Sequence, residues 1–282
     1  MKVLLPFLRS AYAFRSMQLA AEPADFGKPT VVTSRGTSAS TPTGLARHLP
    51  ELAPDSRRVV LVRHASTDWN ARGLLQGGGF DVQLNEEGQA QAKALANELR
   101  RALPQLDVVV SSHLARSSET ADIVSQTFRD HPATAAHHHI RIINHKFAEM
   151  RFGEMEGLAI KGPNCKDETR RKFRDWNSIM HENHSIPWPG GGESIRDVQK
   201  RAHAGLAQIL LGFPDCQHIC IVGHGRFNKI LLMSLLGLTS KDCIQQGNTG
   251  INVIDVDRHG SWKAHAIDYL EHTERSTQST DE

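Results

Sequence analysis

Arg58-Val59-Val60-Leu61-Val62-Arg63-His64-Ala65-Ser66-Thr67-Asp68-Trp69-Asn70 is the stretch on which the fold turns. Its first six residues form a short β-branched apolar run, as in a strand of a parallel sheet buried on both faces. Polar residues then crowd its carboxyl end. Downstream, Asn85 is placed to cap a helix whose first turn carries Glu86 and Glu87, where acids favour the helix dipole. Ala92, Leu95, Ala96, Leu99 and Leu103 recur there at helical spacing, and Pro104 ends the helix. Further strands are expected at 106–110, 140–143 and 218–222, with a closing pair at 251–256 and 262–267. Helices are expected at 115–129, 167–181, 193–211 and 228–236. Strands spaced by helices predict an α/β domain with both sheet faces covered.

The chain has 282 residues, long enough for a full core, and a formal net charge of only +2. That balance gives no electrostatic reason to expect nucleic acid as a partner. The longest apolar run, 230–238, already contains Ser234 and Gly237 and falls far short of the ~20 residues a membrane span needs. Four cysteines, Cys165, Cys216, Cys220 and Cys243, are too sparse for a disulfide scaffold and read as free thiols.

Residues 1–21 carry Lys2, Arg9 and Arg15 and no acid, with Leu4, Leu8, Tyr12 and Leu19 near one side of a helical wheel. This pattern reads as a mitochondrial or plastid transit segment, with an uncleaved cytoplasmic tail as the alternative. Between Pro23 and Pro50 more than half of the residues are Gly, Pro, Ser or Thr, too few apolar groups to offset chain entropy. The expected division is therefore a transit peptide and disordered linker over 1–55 and a catalytic domain over 56–282.

Ligands of open α/β sheets sit beyond the carboxyl ends of the strands. There the first strand delivers Arg63 and His64, the second runs into Ser112 and Arg116, the third is followed by Glu149, and the fourth delivers His224 and Gly225. Two guanidiniums match phosphate oxygens as bidentate forks. A neutral imidazole serves as base or nucleophile, and a glutamate can pass a proton to a leaving alkoxide.

Arg63-His64-Ala65-Ser66-Thr67-Asp68-Trp69-Asn70 resembles the Arg-His-Gly-x-x-x-x-Asn signature of the histidine phosphatase superfamily, also called phosphoglycerate mutase-like. Gln76-Gly77 ahead of Asp81 and Leu84, the segment Ser112 to Ala121, Glu149 to Gly157, Gly191-Gly192-Glu193-Ser194 and His224-Gly225 follow in that family's order, covering roughly 58–270. The resemblance implies a three-layer sandwich with a mostly parallel central sheet flanked by helices. It makes His64 the nucleophile that becomes a phosphohistidine. Arg63, Arg116 and His224 hold the phosphate, with Asn70 and Gly225 in the same pocket, Gln76 on the substrate side and Glu149 as proton donor. It also implies no metal and no cofactor, and as substrate a small phosphorylated molecule or a phosphoprotein. The oligomeric state stays open.

Two positions depart from the pattern. Ala65 stands for the usual glycine and is expected to bring a methyl group near the phosphate. Ser66 stands where many mutases carry glutamate. Only 41 residues separate Glu149 from Gly191, shorter than the insertion usual in the family's mutases. Ser66 and the short segment favour a phosphatase, whereas Ala65 motivates the scaffold alternative. The alternatives are a phosphoglycerate mutase, a sugar bisphosphatase and a weakly active phospholigand-binding scaffold.

Other features have bland readings. His137-His138-His139 is a solvated tract. Cys216-x-His218-x-Cys220 places three side chains on one strand face as core. Trp188 to Gly192 is a turn before a helix capped by Ser194, and Lys166 to Arg174 is a solvated basic face.

Overall fold

The computed structural model of the protein describes residues 43–131, 138–239 and 244–273. The transit segment, His137 and Cys243 lie outside them. Strand β1 (Arg57–Arg63) is followed by the one-turn helix α1 (Asp68–Ala71), α2 (Glu86–Ala102), β2 (Val108–Ser111), α3 (Ala115–Asp130) and β3 (Ile140–Ile143). Then come α4 (Asp167–Glu182), α5 (Ile195–Gly212), β4 (His218–Gly223), α6 (Gly225–Leu235), β5 (Ile251–Val256) and β6 (Trp262–Tyr269).

The six strands lie in the order β3-β2-β4-β1-β5-β6. Strands β1 to β4 are parallel, whereas β5 is antiparallel to β1 and β6 to β5. Alternation along each buried strand supplies two cores. Val59, Leu61, Val108, Val110, Ile219 and Ile221 face α5, α6 and Trp188. Val60, Val62, Val109, Cys220 and Val222 face α2, α3 and Leu45. The result is the mostly parallel α/β sandwich expected.

Caps fix where helices begin. Asn85 accepts the Gly88 N–H at 2.8 Å, and Ser194 forms a reciprocal capping box with Asp197 at the start of α5. Gly88 carries no side chain for a steric reason, since a Cβ there would lie 2.0 Å from the Ser66 carbonyl oxygen.

Two expectations need correction. The expected tail over 1–55 includes residues 43–55, yet Gly44–His48 forms a 3-10 turn whose Leu45 is fully buried. The Leu45 N–H donates to buried Glu98 at 2.6 Å, and Arg47 pairs with Glu271. Packing therefore extends amino-terminal to residue 56, because Leu45 inserts into the core and Leu49 packs against it. Cys216, His218 and Cys220 do not share a face. Strand β4 starts at His218, so the alternation never reaches Cys216, which packs against the core opposite to that of Cys220. Full burial pushes the Cys220 thiol up to about 12, the behaviour of an inert core residue.

Candidate active site

Strand register builds the site. Arg63 of β1 and Gly223 of β4 are paired, and the His64 N–H extends the ladder to the Gly223 carbonyl at 3.0 Å. The next residues, His64 and His224, thus emerge side by side at the carboxyl edge with ring centroids 5.1 Å apart. Ser111 of β2 pairs with Val222 of β4, which brings Ser112 and Arg116 to the same edge.

His64 is almost fully buried and its Nδ1 lies 2.7 Å from its neighbour's carbonyl, Ala65 O. A carbonyl only accepts, so Nδ1 carries the ring proton and Nε2 presents its lone pair. Burial, then Arg116 and Arg63, hold the imidazole well below its ordinary range and keep it neutral. His224 is wholly buried, with Nε2 2.7 Å from Ser112 Oγ. That hydroxyl oxygen also accepts the Leu114 N–H at 3.3 Å; with the hydroxyl proton given to Nε2, the ring proton sits on Nδ1. His224 Nδ1 is buried without a partner. Burial, followed by Arg116 and His64, pushes His224 well below the usual range too.

Arg116 donates through its two terminal nitrogens to Phe80 O and Gly77 O at 2.9 and 2.7 Å. Arg63 donates to Gln246 O at 2.7 Å. In both the Nε is buried and unpartnered. Burial lowers the Arg116 guanidinium to about 10, so it remains charged at neutral pH. A Cβ on Gly225 would stand 3.4 Å from Arg63 Nε, which puts the start of α6 against that guanidinium. Three buried N–H donors without a protein partner at one sheet edge, next to a helix N-terminus, form a site suited to an anion.

The remaining expected residues are placed as follows. Gln76 is buried, donates to Thr67 Oγ1 at 2.8 Å, and leaves Oε1 unpartnered. Asn70 commits its amide oxygen to the Thr67 capping box and to Asn248 Nδ2 at 3.3 Å. Glu149 accepts three backbone N–H groups, from Met150 at 2.7 Å, Phe227 at 2.9 Å and Arg226 at 3.0 Å. It therefore closes the first turn of α6 beside His224. The neighbouring acids act elsewhere: Glu156 accepts from Phe152 and Gly79, and Glu154 pairs with Lys172.

Ala65 does not do what its position suggested. Its methyl group is buried with Leu84 and Ala92, and its N–H donates to Thr120 Oγ1 at 3.1 Å. The methyl points into a small apolar cluster, so no steric penalty falls on the phosphate pocket. Gly77, by contrast, must be glycine. It has φ of +60°, and a Cβ there would lie 2.0 Å from Glu156 Oε1.

Several supporting residues had escaped sequence reasoning. Thr249 N–H donates to Arg63 O at 3.1 Å, and Asn248 Nδ2 to His64 O at 3.0 Å. Strand β5 is antiparallel, so its beginning rather than its end lies at the edge that carries His64 and His224; the turn-forming Gly247-Asn248-Thr249-Gly250 was the available signal. Arg201 of α5 binds both oxygens of Glu193 and also the carbonyls of Ala148 and Glu149 at 2.7 and 3.1 Å. It fastens the Glu149 loop, and nothing in its local sequence announces that.

The fold and this edge define a phosphate-handling α/β protein built around a paired histidine centre. The profile of the Histidine phosphatase superfamily (branch 1) matches residues 59–268. A 2,3-bisphosphoglycerate-dependent phosphoglycerate mutase of Brucella anthropi is 31% identical over 207 residues, covering 71% of this chain and 91% of that protein. A mycobacterial glucosyl-3-phosphoglycerate phosphatase superposes with a TM-score of 0.62 at 23% identity, covering 76% of this chain and 100% of that one. A phosphoserine phosphatase variant of Entamoeba histolytica gives 0.59 at 24%, with 77% and 98% covered. The chain belongs to the histidine phosphatase superfamily, branch 1, whose members here include phosphatases and mutases.

Among the described residues no helix is long and apolar enough to cross a membrane, and no cluster of three or more His, Cys, Asp or Glu side chains is arranged to hold a metal ion.

Proposed function

We propose that the protein is a phosphatase that hydrolyses a small phosphomonoester through a phosphohistidine on His64, without a metal. The observation that carries this reading is the set of buried, unpartnered donors, Arg63 Nε, Arg116 Nε and His224 Nδ1, gathered around a neutral imidazole. Preorganised donors stabilise charge spread over the phosphoryl oxygens without reorganising at the moment of reaction. His64 Nε2 attacks phosphorus, the N–P bond forms as the ester P–O bond breaks, and Glu149 gives its proton to the departing oxygen. Water then attacks the phosphohistidine, Glu149 takes the water proton, and the N–P bond breaks to release inorganic phosphate. Gln76 and Asn70 line the pocket, and Gly225 lets α6 approach it.

Incubation with a 32P-labelled ester, quenched in alkali, is expected to leave acid-labile label on the wild type and none on His64→Ala. Turnover is expected to fall by about a thousandfold or more in that variant. Undiminished turnover in His64→Ala would overturn the reading.

The mutase reading has one observation in its favour, the names of the curated relatives near 30% identity. Following 3-phosphoglycerate with and without 2,3-bisphosphoglycerate separates the two. No isomerisation is expected in either condition.

A further inference from the structure

The site described so far accounts for the transferred phosphate and leaves a larger cavity unused. It has about 230 Å³ and runs beside α6, floored by Ile195, Ile230, Met233 and Leu238. Its α6 positions 226, 229, 230, 233 and 234 keep three-and-four spacing and so share one helix face. Arg226, Lys229, His181 and His184 also line it, with no carboxylate among the described lining residues. Arg226 and Lys229 line in addition a smaller cavity of about 200 Å³ together with Gly225 and Gln246. Gln246 is the residue whose carbonyl holds Arg63, so the two cavities lead from the phosphate edge to the groove.

We propose that this groove seats the leaving group of the substrate: an apolar body on Ile195, Ile230, Met233 and Leu238, carrying a second anionic group bound by Arg226 and His181. The inference rests on the phosphatase reading and names the substrate class for it, a phosphomonoester with an apolar body and a further acidic group.

Three observations support the assignment. Glu149 accepts the Arg226 N–H at 3.0 Å, so the carboxylate assigned to the leaving oxygen is joined to the residue that lines both cavities. Arg226 spends one nitrogen on Asn177 at 2.7 Å and rests on the Phe152 ring at 5.8 Å, which leaves guanidinium donors uncommitted in these contacts. A half-buried guanidinium with spare donors in a lining free of carboxylates is a ready partner for an acidic group. Finally, the Nδ1 of His181 is buried without a partner beside the same guanidinium. The charge asymmetry selects an anion, and Ile195, Ile230, Met233 and Leu238 favour a hydrocarbon body against them.

Binding tests the groove independently of turnover. The full-length protein is titrated calorimetrically with a phosphonate ending in a hexanoate carboxylate, with its methyl ester, and with plain hexylphosphonate. The carboxylate is expected to bind about tenfold more tightly than either probe lacking it. Arg226→Gln and, on a different element, His184→Glu are each expected to erase most of that preference. Equal affinity for the three probes in the wild type, or a preference that survives both substitutions, would overturn the inference. Hydrolysis of 4-nitrophenyl phosphate is read alongside. Its absence counts against the phosphatase reading, whereas hydrolysis with no carboxylate preference counts against the groove alone.

Discussion

Keeping two imidazoles neutral beside two guanidiniums is an electrostatic requirement that burial meets directly. For His64 and His224 desolvation is the leading cause of the low pKa, and the arginines add to it. Neutral His64 with Nδ1 tied to Ala65 O presents a ready lone pair. Glu149 is the residue whose role is least obvious from contacts, because its carboxylate closes the first turn of α6. The two functions separate by leaving group. For Glu149→Gln, kcat on an alkyl phosphate is expected to drop about a hundredfold, while 4-nitrophenyl phosphate, whose anion leaves unaided, drops far less. Equal losses on both esters would show the carboxylate to be a helix cap only.

At the level of elements, helix starts do the positioning. Helix α6 begins at Gly225 immediately after His224, and α5 is started by the Ser194 capping box, which sets where Arg201 reaches the Glu149 loop. Ser194→Ala removes one cap and is expected to cost about 1 kcal/mol of stability. A urea titration checks this, and a change of less than a few tenths would mean that the cap contributes nothing. The exposed pairs on α4, Arg170–Asp167 and Arg174–Asp175, belong to a solvated face and are expected to matter little.

Across the whole molecule, a set of buried contacts joins the amino-terminal turn to the catalytic edge. Leu45 N–H meets Glu98, Tyr269 OH meets the same carboxylate at 3.2 Å, and Tyr269 stacks on His272. His272 in turn lies 3.1 Å from Thr249 Oγ1, and the Thr249 N–H holds the Arg63 carbonyl. Burial lowers His272 from 6.5 to about 4. Between those values the unfolded chain binds the extra proton, so stability is full above 6.5 and is lost as pH falls toward 4; His64 and His224 act with the same sign. His272→Gln keeps a donor for Thr249 and removes the titration. The variant is expected to lose less stability than the wild type between neutral pH and pH 4, by up to about 3 kcal/mol. Parallel pH curves from chemical denaturation would contradict this.

Much of the site was legible in the chain. Arg63, His64, Arg116 and His224 stand just after or near strand ends, and strand ends can be read from apolar runs bounded by polar residues. The strands, the Asn85 and Ser194 caps and the parallel core were legible for the same reason: burial on both faces and capping are local signals. Other features needed three-dimensional placement. The direction of Ala65, the packing of Leu45, the side of the sheet taken by Cys216 and the arrival of Asn248 at the catalytic edge depend on where β-strands begin and which way they run. The Arg201 brace and the groove beside α6 exist only because residues far apart in sequence are brought together. Local periodicity thus determined which segments would be buried, and tertiary packing alone decided which polar atoms were left without partners at the place where a phosphate can supply them.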